Sequence, residues 1–270
     1  MPRQSRSCRS NRVALLLGVS SLAIAIASAA GPASAADSTW TGAGLGSWNN
    51  PLSWTAGIPT AADTATFDTV GVPAVGFGPG ASSVGAISFT TGAVPYTFSV
   101  GGVGLASSLT LTGAGIQNNS TLTTPTFALC GTLGGSGALT FNGAGTSAGN
   151  ALINATANGT VNFAGTSTGA NATITATLGG DINFAGNSLA GAAQIAVGGA
   201  GSTLNFNGSS SADNAGISVT AGGVANFTGT STGGNAAISV ALGGAANFTG
   251  TSTGGNAAIT LTGGDRKSVV

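Results

Sequence analysis

The chain has 270 residues and a formal net charge of zero, but only 4% of its residues are charged and 48 are glycine; an ordinary soluble domain carries about 25% charge. There is no His and no Glu, and between Val13 and Gly264 the only charged side chains are Asp37, Asp63, Asp68, Asp181 and Asp213. This excludes nucleophile–His catalysis and a clustered Lys/Arg surface for nucleic acid, while a mean hydropathy of +0.39 with periodic apolar residues separates the chain from disordered sequences.

Residues 1–36 have the layout of an export signal. Arg3, Arg6, Arg9 and Arg12 precede an apolar run from Val13 to Ala27, and Ala33-Ser34-Ala35 supplies a small-residue site, so cleavage is expected near Ala35 or Ala36. The apolar run is short for a membrane span. The mature chain would begin near Asp37 and keep one cysteine, Cys130, whose apolar flanks predict a small buried residue in no disulfide.

Residues 37–100 read as a Trp-rich N-terminal cap followed by irregular first coils. Trp40, Trp48 and Trp54 bracket the turn sequences Asn49-Asn50-Pro51 and Gly57-Ile58-Pro59. The open end of a repeat stack needs an atypical unit to cover its core. An exposed aromatic platform for sugars is the functional alternative. Asp63 and Asp68 are expected to make Asx-type turn bonds. Ala86–Phe89 and Tyr96–Val100 alternate like strands. Residues 101–140 are Gly-rich, degenerate β-repeats.

Here the chain resembles the start of bacterial autotransporter-type passenger domains. The likeness lies in Trp40, Gly42, Trp48, Trp54, Gly57, Pro59, Asp63, Ala65 and Phe67 after an export signal. Residues 101–140 resemble the autotransporter-associated β-strand repeat. The resemblance implies an all-β passenger on the cell surface, anchored by a C-terminal outer-membrane β-barrel. No barrel-like series of alternating strands occurs in the sequence.

Residues 141–264 contain six regular coils. Phe141, Phe163, Phe184, Phe206, Phe227 and Phe248 recur at steps of 22, 21, 22, 21 and 21, in phase with Ile153, Ile174, Ile195, Ile217, Ile238 and Ile259. A fixed period near 21 marks a solenoid. The alternation of Ile238, Val240 and Leu242, and of Ile174, Ala176 and Leu178, puts these residues on an inner strand face. Ile182 and Phe184 share the inner face of a second strand. A glycine stands two residues after each ladder Phe, from Gly143 to Gly250, and Gly-Gly pairs permit left-handed turns. Dense Gly, Ser and Thr disfavour helix. The expected fold is all-β: a right-handed parallel β-helix with coils of about 21 residues and stacked Phe and Ile columns.

Asn150, Asn171, Asn214, Asn235 and Asn256 form a column three residues before the Ile, broken by Ala192, and read as an asparagine ladder rather than a ligand site. Outward Thr-Ser-Thr triplets at Thr166, Thr230 and Thr251 resemble ice-binding arrays in three of six coils. Asp181 and Asp213 take different rung positions and should not face one another. No cofactor or metal site is expected. Residues 265–270 (Asp-Arg-Lys-Ser-Val-Val) break the pattern and resemble translated library adapter, so they read as an artefactual tail on a truncated frame. The expected function is an exported, non-enzymatic surface stalk or adhesin that meets glycans, other cells or its own copies. A freely secreted structural or ice-binding solenoid is the alternative, and a polysaccharide-acting enzyme a distant third.

Overall fold

A computed structural model describes residues 37–262. The expected leader, with Ala35 and Ala36, and the expected tail at 265–270 lie outside the described residues. The chain winds as a parallel β-solenoid with two sheets, one of ten strands and one of nine. Among the described residues there is no α-helix; one 3₁₀ turn, Pro51–Ser53, is capped where the Leu52 N–H donates to Asn50 Oδ1 at 3.0 Å.

In the regular coils the first sheet holds Ser136–Gly143, Gly159–Gly165, Asp181–Phe184, Ser202–Phe206, Gly223–Phe227 and Ala245–Phe248. The second sheet holds Leu152–Thr156, Thr173–Thr177, Gln194–Gly198, Gly216–Val219, Ala237–Ala241 and Ala258–Thr262. Earlier rungs continue both sheets, with Thr64–Phe67, Gly80–Phe89 and Ala106–Asn118 in the first and Ala74–Gly76, Thr97–Val100 and Thr126–Leu129 in the second. A side chain alternates between the two faces of a strand, so the 21- or 22-residue step brings like residues into register: Phe163 pairs with Phe184 and Ile174 with Ile195. A third line of contact is built from single-residue bridges running from Gly115 through Ser147, Thr168, Leu189, Ser211 and Thr232 to Thr253.

The interior is the expected pair of columns. Phe141, Phe163, Phe184, Phe206, Phe227 and Phe248 stack with centroids 4.4–4.9 Å apart and planes within 8°. All but the half-buried Phe248 are sealed from solvent. Ile153 to Ile238 are buried likewise, with Ile259 partly so. At the N-terminal end Trp40, Trp48 and Trp54 are at most 5% exposed, so they cover the stack and offer no platform. Trp48 stacks on Phe77 at 4.9 Å, and Trp54 meets Trp48 edge-on at 4.8 Å. Asp63 accepts from the Thr60 N–H and hydroxyl, and Asp68 from the Val70 N–H, as the turn reading expected.

The parity reading runs one residue too far at two corners. Leu178 and Leu242 do not point inward: they are 68% and 65% exposed. The strands end at Thr177 and Ala241, and the turn begins with the leucine. The second glycine of these corners is forced by space, since a Cβ on Gly180 would press on the Ala155 carbonyl oxygen and one on Gly244 would lie 2.9 Å from the Val219 carbonyl oxygen. The first coil also departs from the glycine rule, because Gly145 takes the left-handed conformation there (φ 71°) and Gly143 does not. Cys130 is buried as expected but is disulfide-bonded rather than a lone thiol. The lone-thiol reading counted cysteines only after removal of residues 1–36.

Candidate functional surfaces

Three outer surfaces run the length of the stack, and each follows from which residues alternate outward. On the first sheet the outward column beside the phenylalanines is Thr140, Asn162, Asn183, Asn205, Asn226 and Asn247, all half-buried. Its amides form a one-way chain. Asn183 donates to Asn162 at 3.0 Å, Asn205 to Asn183, Asn226 to Asn205 and Asn247 to Asn226 at 2.9 Å each, and Asn162 to the Thr140 hydroxyl at 3.4 Å. This is the main asparagine ladder of the molecule. It was legible in the Asn-Phe repeat, and sequence reasoning assigned the ladder to the other column.

That other column, Asn150, Asn171, Asn214, Asn235 and Asn256, is exposed at the corner before the second sheet. Its side chains bond only across the last three rungs among the described residues, Asn235 to Asn214 and Asn256 to Asn235 at 3.4 Å. Ala192 removes the amide from one rung of the column, while the backbone register runs on through it, the Ala192 N–H donating to the Ala170 carbonyl at 2.7 Å. The residue before each Asn, and before Ala192, is left-handed: Gly149, Ala170, Gly191, Asp213, Gly234 and Gly255 have φ between 49° and 68°.

The Thr-Ser-Thr triplets are not wholly outward. The central residues of the first two, Ser167 and Ser231, with Ser188 and Ser210 of neighbouring rungs, are fully buried, and Ser252 of the third is half-buried. The bridge line behaves as a short strand, so the middle residue turns into the core while Thr166 and Thr168, Thr230 and Thr232, and Thr251 and Thr253 remain outside. The buried Oγ atoms of Ser167, Ser188, Ser210 and Ser231 have no hydrogen-bond partner. The outer row is interrupted at Asn187 and Leu189 and at Ser209 and Ser211.

The outward face of the second sheet has no charged residue at all. Around Gly216 it dips into a shallow depression of about 380 Å³, with Ile195 and Ile217 as its floor and Thr173, Gln194, Ser218 and Ala237 around it. The carboxylates lie elsewhere. Asp181 is on the first sheet and accepts a 2.5 Å hydrogen bond from Thr203, whereas Asp213 sits at the corner and accepts from Asn214 at 3.1 Å. The two stand on different sides of the rung, as their sequence positions implied. Among the described residues no three His, Cys, Asp or Glu come together as a metal group, and no helix is long and apolar enough to cross a membrane. Tyr96, at the N-terminal end, donates to the carbonyl oxygens of Val70 at 2.7 Å and Asp68 at 3.1 Å. Burial, with a smaller contribution from the Asp68 charge, pushes its phenol up to about 12. No family model, curated protein or solved structure matches this chain.

Proposed function

We propose that the chain is the exported, non-enzymatic β-helical passenger of an autotransporter-like surface protein, serving as a stalk or adhesive surface outside a bacterial cell. The observation that supports this is the constancy of register through the regular coils, after a shift between Gly80–Phe89 and Ala106–Asn118 in the earlier rungs. Nine rungs at ~4.8 Å give a rod of about 40 Å whose outer faces repeat without a charged cluster. Such faces suit extended contact and place no acid–base pair in one cleft. Of the partners this role admits, protein faces are favoured over glycans, because all fifteen aromatic rings are taken up by the core and none is laid flat for a sugar. The outward Thr-x-Thr pairs keep ice binding as the second reading, weakened by the interruption at Asn187 and Leu189.

The test is expression of the full chain in a Gram-negative host. The expected product is found outside the cytoplasm with Asp37 at its N-terminus, and beads coated with it cluster. A cytoplasmic product that keeps residues 1–36, or coated beads that stay dispersed, would count against the proposal.

A further inference from the structure

We propose that the outer face of the second sheet is an isologous interface, on which two copies of this chain pack face to face with their solenoid axes antiparallel. The inference deepens the adhesive reading and rests on it for its setting, but its geometry stands by itself.

The strand register places Leu152, Thr173, Gln194, Gly216, Ala237 and Ala258 in one outward column. The first three are large and the last three are small, with the step between Gln194 and Gly216. A two-fold axis has to set residue i of one copy on residue j of the other and j on i. An axis along the strands, midway between the rungs of Gln194 and Gly216, sets Gln194 over Gly216 of the second copy, Thr173 over Ala237 and Leu152 over Ala258. Every large residue then meets a small one. The depression at Gly216 then lies opposite the second copy's Gln194, beside the amide of its own chain's Gln194, whose carbon a Cβ on Gly216 would meet at 3.0 Å.

The neighbouring columns obey the same operation. Ala196 falls on Ser218 and Thr175 on Ser239, both pairs of small residues that two sheets about 10 Å apart accommodate. Leu178 follows the rung of Thr173 and Leu242 follows the rung of Ala237, so the axis brings these two corner leucines together. They are the large apolar side chains left most exposed in the regular coils, at 68% and 65%.

Charge and area point to the same occupant. Asp37, Asp63, Asp68, Asp181 and Asp213 all lie off this sheet, so like-charge repulsion between copies is smallest here. Six rungs of up to five residues span roughly 30 Å by 16 Å. That is about 500 Å² of flat projection per copy and about 1,000 Å² per pair, at the lower bound for specific interfaces and within the range of transient ones. Contacts of this strength become firm when many copies are displayed together.

Sedimentation equilibrium of the full chain tests the interface. The wild type is expected to dimerise reversibly, and Ser218→Lys to weaken the dimer at least tenfold. Gly216→Leu, which fills the depression, is expected to do the same, and Val224→Lys on the first sheet to leave it unchanged. Circular dichroism melts establish that each variant is folded. Because Ala196 faces Ser218 only in the antiparallel arrangement, mixing Ala196→Glu with Ser218→Lys should restore association. A wild type that stays monomeric, a Val224→Lys variant as weak as Ser218→Lys, or a mixture that fails to associate would each overturn the proposal. So would a monomer that binds neutral polysaccharide beads through this face and loses that binding with Ser218→Lys. A dimer through this face on beads that do not cluster removes the surface role and leaves the interface standing. Clustering that Ser218→Lys does not alter does the reverse.

Discussion

Phe184→Ala tests the phenylalanine column directly. The ring is fully buried between Phe163 at 4.5 Å and Phe206 at 4.9 Å, nearly parallel to both. Truncating a buried Phe costs about 3–5 kcal/mol through lost transfer energy and the cavity left behind. Each aromatic contact adds about 0.5–1.5 kcal/mol, part of it already counted in the truncation. The expected loss is therefore about 4–6 kcal/mol. The assay is denaturant unfolding joined to native-state hydrogen exchange. A solenoid couples each rung only to its neighbours, so amides around 163, 184 and 206 should exchange about a thousandfold faster or more, at tenfold per 1.4 kcal/mol, while the tryptophan end is little changed. Phe184→Leu, which keeps most of the volume, should stay within about 1.5 kcal/mol of wild type. A loss below about 2 kcal/mol for the alanine variant, or exchange that accelerates uniformly along the chain, would refute the packed and locally coupled column.

Ser210→Ala should stabilise the fold by about 1 kcal/mol in the same unfolding assay, because the buried hydroxyl has no partner to lose. Ala170→Gly should raise stability by about 1 kcal/mol, since Ala170 holds φ 49° in a column otherwise mostly glycine. Gly223→Ala should cost more than about 2 kcal/mol, as its Cβ would press on the Val197 carbonyl. Tyr96 keeps its proton longer when folded: with its phenol raised from 10.0 to about 12, its stabilising contribution is complete below pH 10 and is lost as pH rises through 12. Unfolding measured at pH 9 and pH 11.5 should show a decline that Tyr96→Phe flattens.

The two core columns were legible because burial of Phe and Ile recurs with the rung and survives every small irregularity in the corners. The corners themselves were harder to read. Leu178 and Leu242 continue the apolar alternation by one residue, and nothing in a period-2 pattern marks where the backbone leaves the strand; only the following Gly-Gly pair does. The Thr-Ser-Thr triplets read as wholly outward, whereas even one residue of parallel pairing is enough to impose alternation and turn Ser167 and Ser231 inward. The asparagine ladder was assigned to the column that recurs at a turn, where the amides are exposed and bond, at 3.4 Å, only across the last three rungs among the described residues. Strand register holds the Asn162–Asn247 column at hydrogen-bond distance, and register is a property of the sheet rather than of any one coil. The interface step between Gln194 and Gly216 is visible in sequence only once the rungs are aligned.

The one-way amide chain on the first sheet gives the molecule an electrical direction. Each side-chain amide points its N–H toward the tryptophan end and its carbonyl toward Phe248, so five dipoles add where strand dipoles in a sheet largely cancel. The column acts like a short helix dipole laid along the solenoid axis, partially positive beside Thr140 and partially negative beside Asn247. Two copies lying antiparallel oppose these fields, whereas copies aligned in parallel would reinforce them.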